Sequence, residues 1–213
     1  MRSKFDEQLH MLDEEMILMS NMIERAIRDA IEALFTQNVE KARQIMKEDE
    51  LVDQEQKRIE NICFQLLIQQ QPVARDLRVI TAAMKMVTDM ERIGDQAADI
   101  SELTVMMSVS PYVLNIDNIR KMADETMIML IHAVEAYVEH DMAKAREVID
   151  HDDIVDDLFV KVKSDLIEVM QNNTDYEEQA ADLLMVNKYL ERIGDHATNI
   201  AEWVIFSLDD HLK

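Results

Sequence analysis

Two stretches of this chain repeat each other and carry acids at helical spacing. Glu91-Arg92-Ile93-Gly94-Asp95 recurs as Glu191-Arg192-Ile193-Gly194-Asp195, and the match continues through Ala97/Ala197, Ile100/Ile200 and Glu102/Glu202, eight identities in twelve positions. Residues four apart on a helix differ by about 40° in azimuth, so Glu91 and Asp95 project from one face, with Asp99 further round and Glu102 between them. The second copy offers Glu191, Asp195, Asn199 and Glu202 in the same order. Upstream of each motif lies a second acidic pair at the same spacing, Asp49/Asp53 and Asp152/Asp156.

Residues of an antiparallel helical hairpin face each other when their numbers are symmetric about the turn. Asp53 with Glu91, and Asp49 with Asp95, are both symmetric about residue 72, which is a proline. Asp156 with Glu191, and Asp152 with Asp195, are symmetric about a point between Asn173 and Thr174, inside a polar loop. Each hairpin therefore levels two acidic pairs, about 28–35 Å from its tip at roughly 1.5 Å per residue.

Two carboxylates 4 Å apart repel by up to about 4 kcal/mol at an effective dielectric near 20. Four such groups must be solvated, protonated or neutralised. Hard cations take oxygen ligands at about 2.0–2.6 Å, and helical bundles build carboxylate-lined metal sites from facing helices. The candidate ligands are Asp49, Asp53, Glu91, Asp95 and Asp99 in one half, and Asp152, Asp156, Glu191, Asp195 and Asn199 in the other. With no His or Cys in the set, Mg, Ca, Mn or iron is expected over zinc. His196 points about 100° away from Asp195, as a surface or packing residue. Arg92 and Arg192 can partner the acids, but one Arg does not neutralise four carboxylates.

The elements that must position these residues are helices. Two Gly and two Pro leave almost nothing for the repeated tight turns of a β fold. Read as punctuation, Pro72, Pro111 and Asn172-Asn173-Thr174-Asp175 divide the chain, with Asn38 and Asp141 as N-caps. Thr174 and Glu177 match a capping box, and Pro72 and Pro111 suit first turns. Six helices are expected at 4–36, 39–69, 72–107, 113–139, 142–172 and 175–208. A second correspondence, Lys41-Ala42-Arg43 with Lys144-Ala145-Arg146, extends the duplication. The chain reads as all-α, two tandem three-helix bundles covering 1–109 and 110–213. Both glycines fall inside the acidic motif, mid-helix, where each costs about 1 kcal/mol relative to Ala. Close approach of another helix, or of a bound ion, would require the missing side chain. The seventeen methionines, among them Met16, Met19, Met84, Met86, Met106, Met127 and Met129, read as core filler.

A net charge of −22, with 22 basic against 44 acidic residues, excludes nucleic-acid binding and favours cations and basic partner surfaces. The single cysteine, Cys63, forms no intrachain disulfide and sits in an apolar run as a core thiol. The first residues lack the apolar stretch of a signal peptide, and no run reaches the roughly 18 apolar residues of a span. A cytoplasmic location is expected, with membrane contact only through partners.

At these motifs the sequence resembles the PhoU family, accessory regulators of bacterial phosphate uptake, over essentially the whole chain. The resemblance rests on the duplicated Glu/Asp-x-x-x-Asp motif, Glu91 to Asp95 and Glu191 to Asp195. It also rests on Pro72-Val73-Ala74-Arg75-Asp76-Leu77-Arg78, which is similar to the segment opening the family's third helix. It implies iron or other divalent or trivalent metal clusters at the duplicated motif. It also implies association with the phosphate transporter ATPase and the phosphate sensor histidine kinase, damping phosphate import and phosphate-starvation signalling. A homodimer is the expected assembly. Asp99 becomes Asn199 in the second copy, so the two sites are expected to differ in affinity. The function expected is a metal-binding cytoplasmic regulator, not an enzyme and with no catalytic residues. The rival reading is a carboxylate-bridged metalloenzyme, an oxidase or phosphoester hydrolase. A third is a structural helical module with solvated acidic faces.

Overall fold

Apolar residues at helical spacing organise the chain into α1 (Arg2–Thr36), α2 (Val39–Gln69), α3 (Ala74–Met107), α4 (Asp117–Glu139), α5 (Met142–Asn172) and α6 (Glu177–Leu208). The computed structural model describes residues 2–69, 72–109, 111–112, 116–172 and 176–209. Each triplet packs as an antiparallel bundle. The bundles join through α3 against α6 and α1 against α4, while α2 and α5 contact only helices of their own repeat. Helices α2 and α5 thus lie on the outer flanks of one continuous core, while α3 and α6 carry the acidic motifs at its centre.

The chain turns between α1 and α2, and between α4 and α5, without glycine. Gln37 (φ 51°) and His140 (φ 53°) adopt the left-handed conformation at matching positions of the repeat. Asn38 N–H donates to the Ala33 carbonyl at 2.9 Å, and Asp141 N–H to the Ala136 carbonyl at 2.9 Å, closing each helix as a Schellman motif. The same two residues then cap the following helices. The Asn38 side-chain oxygen accepts from Lys41 N–H at 3.0 Å, and Asp141 Oδ1 from Ala143 N–H at 2.8 Å and Lys144 N–H at 3.1 Å.

The prolines are placed differently from the sequence expectation. Helix α3 begins at Ala74, after an extended Val73 (φ −79°, ψ 169°) whose N–H donates to Asp76 Oδ2 at 3.3 Å. Pro72 therefore precedes the cap rather than filling the first turn, because Asp76 at the third helical position supplies the acceptor that sets the start. Helix α4 starts at Asp117, not at 113, so Pro111 lies outside it. The capping residue read at Thr174 lies outside the described residues.

Core packing follows the duplicated pattern. Met16, Met19, Met86 and Met129 are fully buried, and Met84 and Met127 pack against the core from its edge. Met106 corrects the expectation, being 57% exposed on the last turns of α3. Cys63 is buried, and burial pushes its thiol up to about 12. Among the described residues no helix is long and apolar enough to cross a membrane.

Candidate metal centre

Helix α2 meets α3 in the register that the sequence arithmetic requires. A Cβ built on Gly94 would lie 3.0 Å from Val52 Cγ1 and 3.5 Å from Asp49 Oδ1. In the second repeat a Cβ on Gly194 would lie 3.4 Å from Val155 Cγ1 and 3.6 Å from Asp152 Oδ1. Gly94 thus lets the neighbouring helix, with its aspartate, come down onto the motif, whereas a Cβ at Gly194 would meet only ordinary contacts.

In the first repeat the result is convergence. Asp53, Glu91 and Asp95 each present an oxygen within 4.8 Å of the others, and all three are half-buried. Asp49 joins them electrostatically, its carboxyl pushed up to about 6 by burial and then by the charges of Asp95, Asp53 and Asp99. Glu91 is raised by burial and by Asp95 against the opposing Arg92. Asp99 is raised by burial, Asp95 and Glu102, with Arg192 of α6 opposing. Arg92 is the cation beside the group, with Nη1 2.9 Å from Asp95 Oδ2 and Nε 3.4 Å from Glu91 Oε2. Glu91 Oε2 is buried and makes no hydrogen bond. One guanidinium leaves the cluster short of positive charge, as the raised carboxyls record.

The second repeat copies the positions but not the arrangement. Asp152 is raised by burial, Asp156 and Asp195, with the Thr198 hydroxyl beside it acting the other way. Asp195 is raised by burial, Glu191 and Asp156, with Lys188 opposing. Glu191 is drawn into an ion pair with Lys188, whose counterpart in the first repeat is Thr88. Asn199 turns to α3, its Nδ2 donating to Asp89 Oδ1 at 3.1 Å. His196 Nδ1 lies 2.9 Å from the same oxygen, with its side chain 18% exposed, in accord with the packing role read from its azimuth. Glu191 and Asn199 are thus engaged by Lys188 and Asp89, whose repeat counterparts are Thr88 and Tyr189.

Asp89 is the residue that sequence reasoning missed. Its repeat counterpart is Tyr189, so the duplication hid it. Tyr189 in turn is raised by burial and by Asp99, with Arg192 opposing, so the two ends of the α3/α6 crossing carry different partners. The only available signal was its position two residues before Glu91.

The first-repeat residues fit a hard cation. Two oxygens bound to one ion at about 2.0–2.6 Å lie no more than about 4–5 Å apart, which the three-carboxylate group satisfies without large movement. The donors are all oxygen, the charge is uncompensated, and the glycine leaves Asp49 room to reach inward.

Comparison with known proteins agrees with the duplicated helical fold. The PhoU domain model matches the chain twice, over residues 16–104 and 119–204, once per bundle. A protein of Clostridium acetobutylicum named as a phosphate-specific transport system accessory protein PhoU homolog is 38% identical over 206 residues, covering 96% of this chain and 94% of that protein. The crystal structure of PhoU from Pseudomonas aeruginosa superposes with a TM-score of 0.94 at 28% identity, covering 96% of this chain and 98% of that one. The phosphate transport system regulatory protein PhoU from Streptococcus pneumoniae does so with a TM-score of 0.89 at 25% identity, covering 98% and 99%. Two matched domains, a relative aligned along nearly its whole length and a shared six-helix fold make this chain a member of the PhoU family.

Proposed function

We propose that the chain is a metal-binding regulator of phosphate uptake and phosphate-starvation signalling. It acts as an adaptor between the phosphate transporter ATPase and the sensor histidine kinase. The relatives are named accessory or regulatory proteins of phosphate transport, and the family is one of accessory regulators rather than enzymes. The observation that carries the metal part is the convergence of Asp53, Glu91 and Asp95, with Asp49 raised beside them. Asp49, Asp53, Glu91 and Asp95, with Asp99 at the margin, would hold an ion in the first repeat. Asp152, Asp156, Glu191 and Asp195 would do so in the second. A bound cation supplies positive charge to an otherwise acidic flank, and iron, Mn, Mg or Ca all suit an oxygen donor set.

We place this adaptor in the cytoplasm, as a homodimer that reaches the membrane through its partners. A net charge of −22 favours basic partner surfaces. Phosphate does not bind a bare carboxylate cluster, so any phosphate sensing at this place runs through the ion. Elemental analysis of chelator-stripped and Mn2+-reconstituted chain tests the ligands. Asp95→Ala with Asp195→Ala should lose the bound ions, and unchanged stoichiometry refutes the assignment. Capture of the transporter ATPase and the sensor kinase from phosphate-replete cells tests the adaptor. Capture of neither refutes it.

A further inference from the structure

A cavity of about 170 Å³ lies between α1 and α2, walled by Met22, Ala26, Ile45 and Val52 and ending at Asp49 and Gly94. Arg25 and Leu51, which also line it, are exposed, whereas Gly94 is buried, so the space runs inward from solvent. The glycine has no side chain to close the inner end, and Asp49 Oδ1 lies 3.5 Å from where its Cβ would be.

The lining carries three carboxylates, Asp29, Glu48 and Asp49, against the one guanidinium of Arg25. Asp29 is paired with Lys41 at 2.7 Å and Arg25 at 3.5 Å, and Glu48 accepts from Gln44 Nε2 at 2.7 Å. At Asp49 no cation opposes the effects that push its carboxyl up to about 6, which are burial and then the charges of Asp95, Asp53 and Asp99. A positive charge is what the inner end of the cavity lacks. In the second repeat an unbranched side chain already lies over the glycine. Met129 stands 103 residues after Ala26, the step that also carries Asn38 to Asp141, and its Sδ packs 3.7 Å from the Cβ position of Gly194. Ala26 ends at its methyl group, so the first glycine is left to be reached from outside.

The geometry points to a lysine side chain of a basic partner protein as the occupant of this cavity, with its four-carbon stem along Met22, Ala26, Ile45 and Val52 and its ammonium meeting Asp49 beside Gly94. This deepens the adaptor reading above and rests on it for the identity of the partners. The cavity has room for the five heavy atoms of a lysine side chain, at about 30 Å³ for each group the size of a water. An ammonium is compact and brings three donors, whereas a planar guanidinium brings five, which apolar walls would leave unsatisfied. A net charge of −22 draws basic surfaces to the chain, and a buried stem that ends on a carboxylate anchors such a surface in one register. Asp49 also belongs to the acidic cluster, so a metal ion and the lysine compete for it.

The test titrates the blocked tripeptide Gly-Lys-Gly into the full chain, kept in EDTA to remove that competition, at about pH 7.5 where Asp49 is ionised. Methyl NMR of the methionines reads occupancy, with the Met22 signal assigned through Met22→Leu and Met129 serving as the control across the repeat. A saturable shift of the Met22 methyl is expected, and peptides carrying norleucine or arginine in place of lysine should bind about tenfold or more weakly. Asp49→Asn should weaken the lysine peptide by a similar factor. Ala26→Met should abolish its effect with helical circular dichroism unchanged, and Asp49→Asn decides the matter should Ala26→Met not fold. No saturable shift of Met22 overturns the proposal, as does equal binding of the norleucine or arginine peptide, or undiminished binding by Asp49→Asn. In phosphate-replete cells, Ala26→Met should lose capture of the transporter ATPase and the sensor kinase. Capture at the level of the unmodified chain overturns the docking role even where the peptide binds. An unmodified chain that binds the lysine peptide but captures neither protein upholds the cavity as a lysine site and refutes the adaptor reading instead.

Discussion

Replacing each glycine with alanine separates helix propensity from helix approach. Both glycines sit mid-helix and neither has a positive φ, so alanine at either site should gain about 1 kcal/mol from backbone entropy alone. The surroundings then decide the sign. At Gly194 the new methyl meets Val155 Cγ1 at 3.4 Å, Asp152 Oδ1 at 3.6 Å and Met129 Sδ at 3.7 Å, all ordinary contacts. Gly194→Ala should keep the gain and raise the melting temperature of the chelator-treated chain by about 2–4 °C. At Gly94 the methyl meets Val52 Cγ1 at 3.0 Å, inside normal contact. Val52 is buried and β-branched, so its rotamer is stiff and α2 must give way, at an overpacking cost of about 1–3 kcal/mol. Gly94→Ala should therefore range from neutral to destabilised by about 2 kcal/mol, and should be less stable than Gly194→Ala by about 1–3 kcal/mol. Urea unfolding followed by helical circular dichroism measures the difference. A Gly94→Ala chain as stable as its Gly194→Ala counterpart would refute the claim that close helix approach explains the glycine of the first motif.

The raised carboxyls make an unusual pH dependence. Asp49 moves from 3.8 to about 6, and Glu91, Asp99, Asp152 and Asp195 shift the same way. Such groups bind more protons folded than unfolded, so their contribution is most favourable below the unfolded pKa and is lost as pH rises through the native one. The melting temperature in chelator should rise as pH falls from about 7.5 to about 5.5, and saturating Mn2+ should flatten that slope; a fall over this range contradicts the reading. Glu55, 8% exposed on α2, is held at about 7 by burial and by its hydrogen bond and charge contact with Glu15, against Arg58. Glu55→Gln should stabilise the chain at about pH 8, by on the order of 1–3 kcal/mol, and do little at about pH 5; equal effects at both would exclude the titration of Glu55. Lys188→Ala releases Glu191, and on an Asp95→Asn background calorimetric titration should show Mn2+ binding roughly two- to five-fold more tightly. Weaker binding would mean that Lys188 orients Glu191 rather than competing for it.

Much of this protein was readable without coordinates, because the relevant physics is local. Helical periodicity defined the six segments, and Asn38 and Asp141 cap where their side-chain chemistry predicts. Symmetry about residue 72 anticipated that Asp53, Glu91 and Asp95 share a level, since a rise constant along a helix turns sequence distance into height. The prolines misled, because Val73 and Asp76 rather than Pro72 define where α3 starts. What only tertiary structure decided is how two near-identical motifs came to differ. Lys188 drawing on Glu191 is an i,i+3 pair within α6, but Asp89 holding Asn199 and His196, and Met129 packing over Gly194, depend on which helix faces which. Spacing along one helix sets the height and direction of a side chain. A partner on another helix is settled only when the helices pack together.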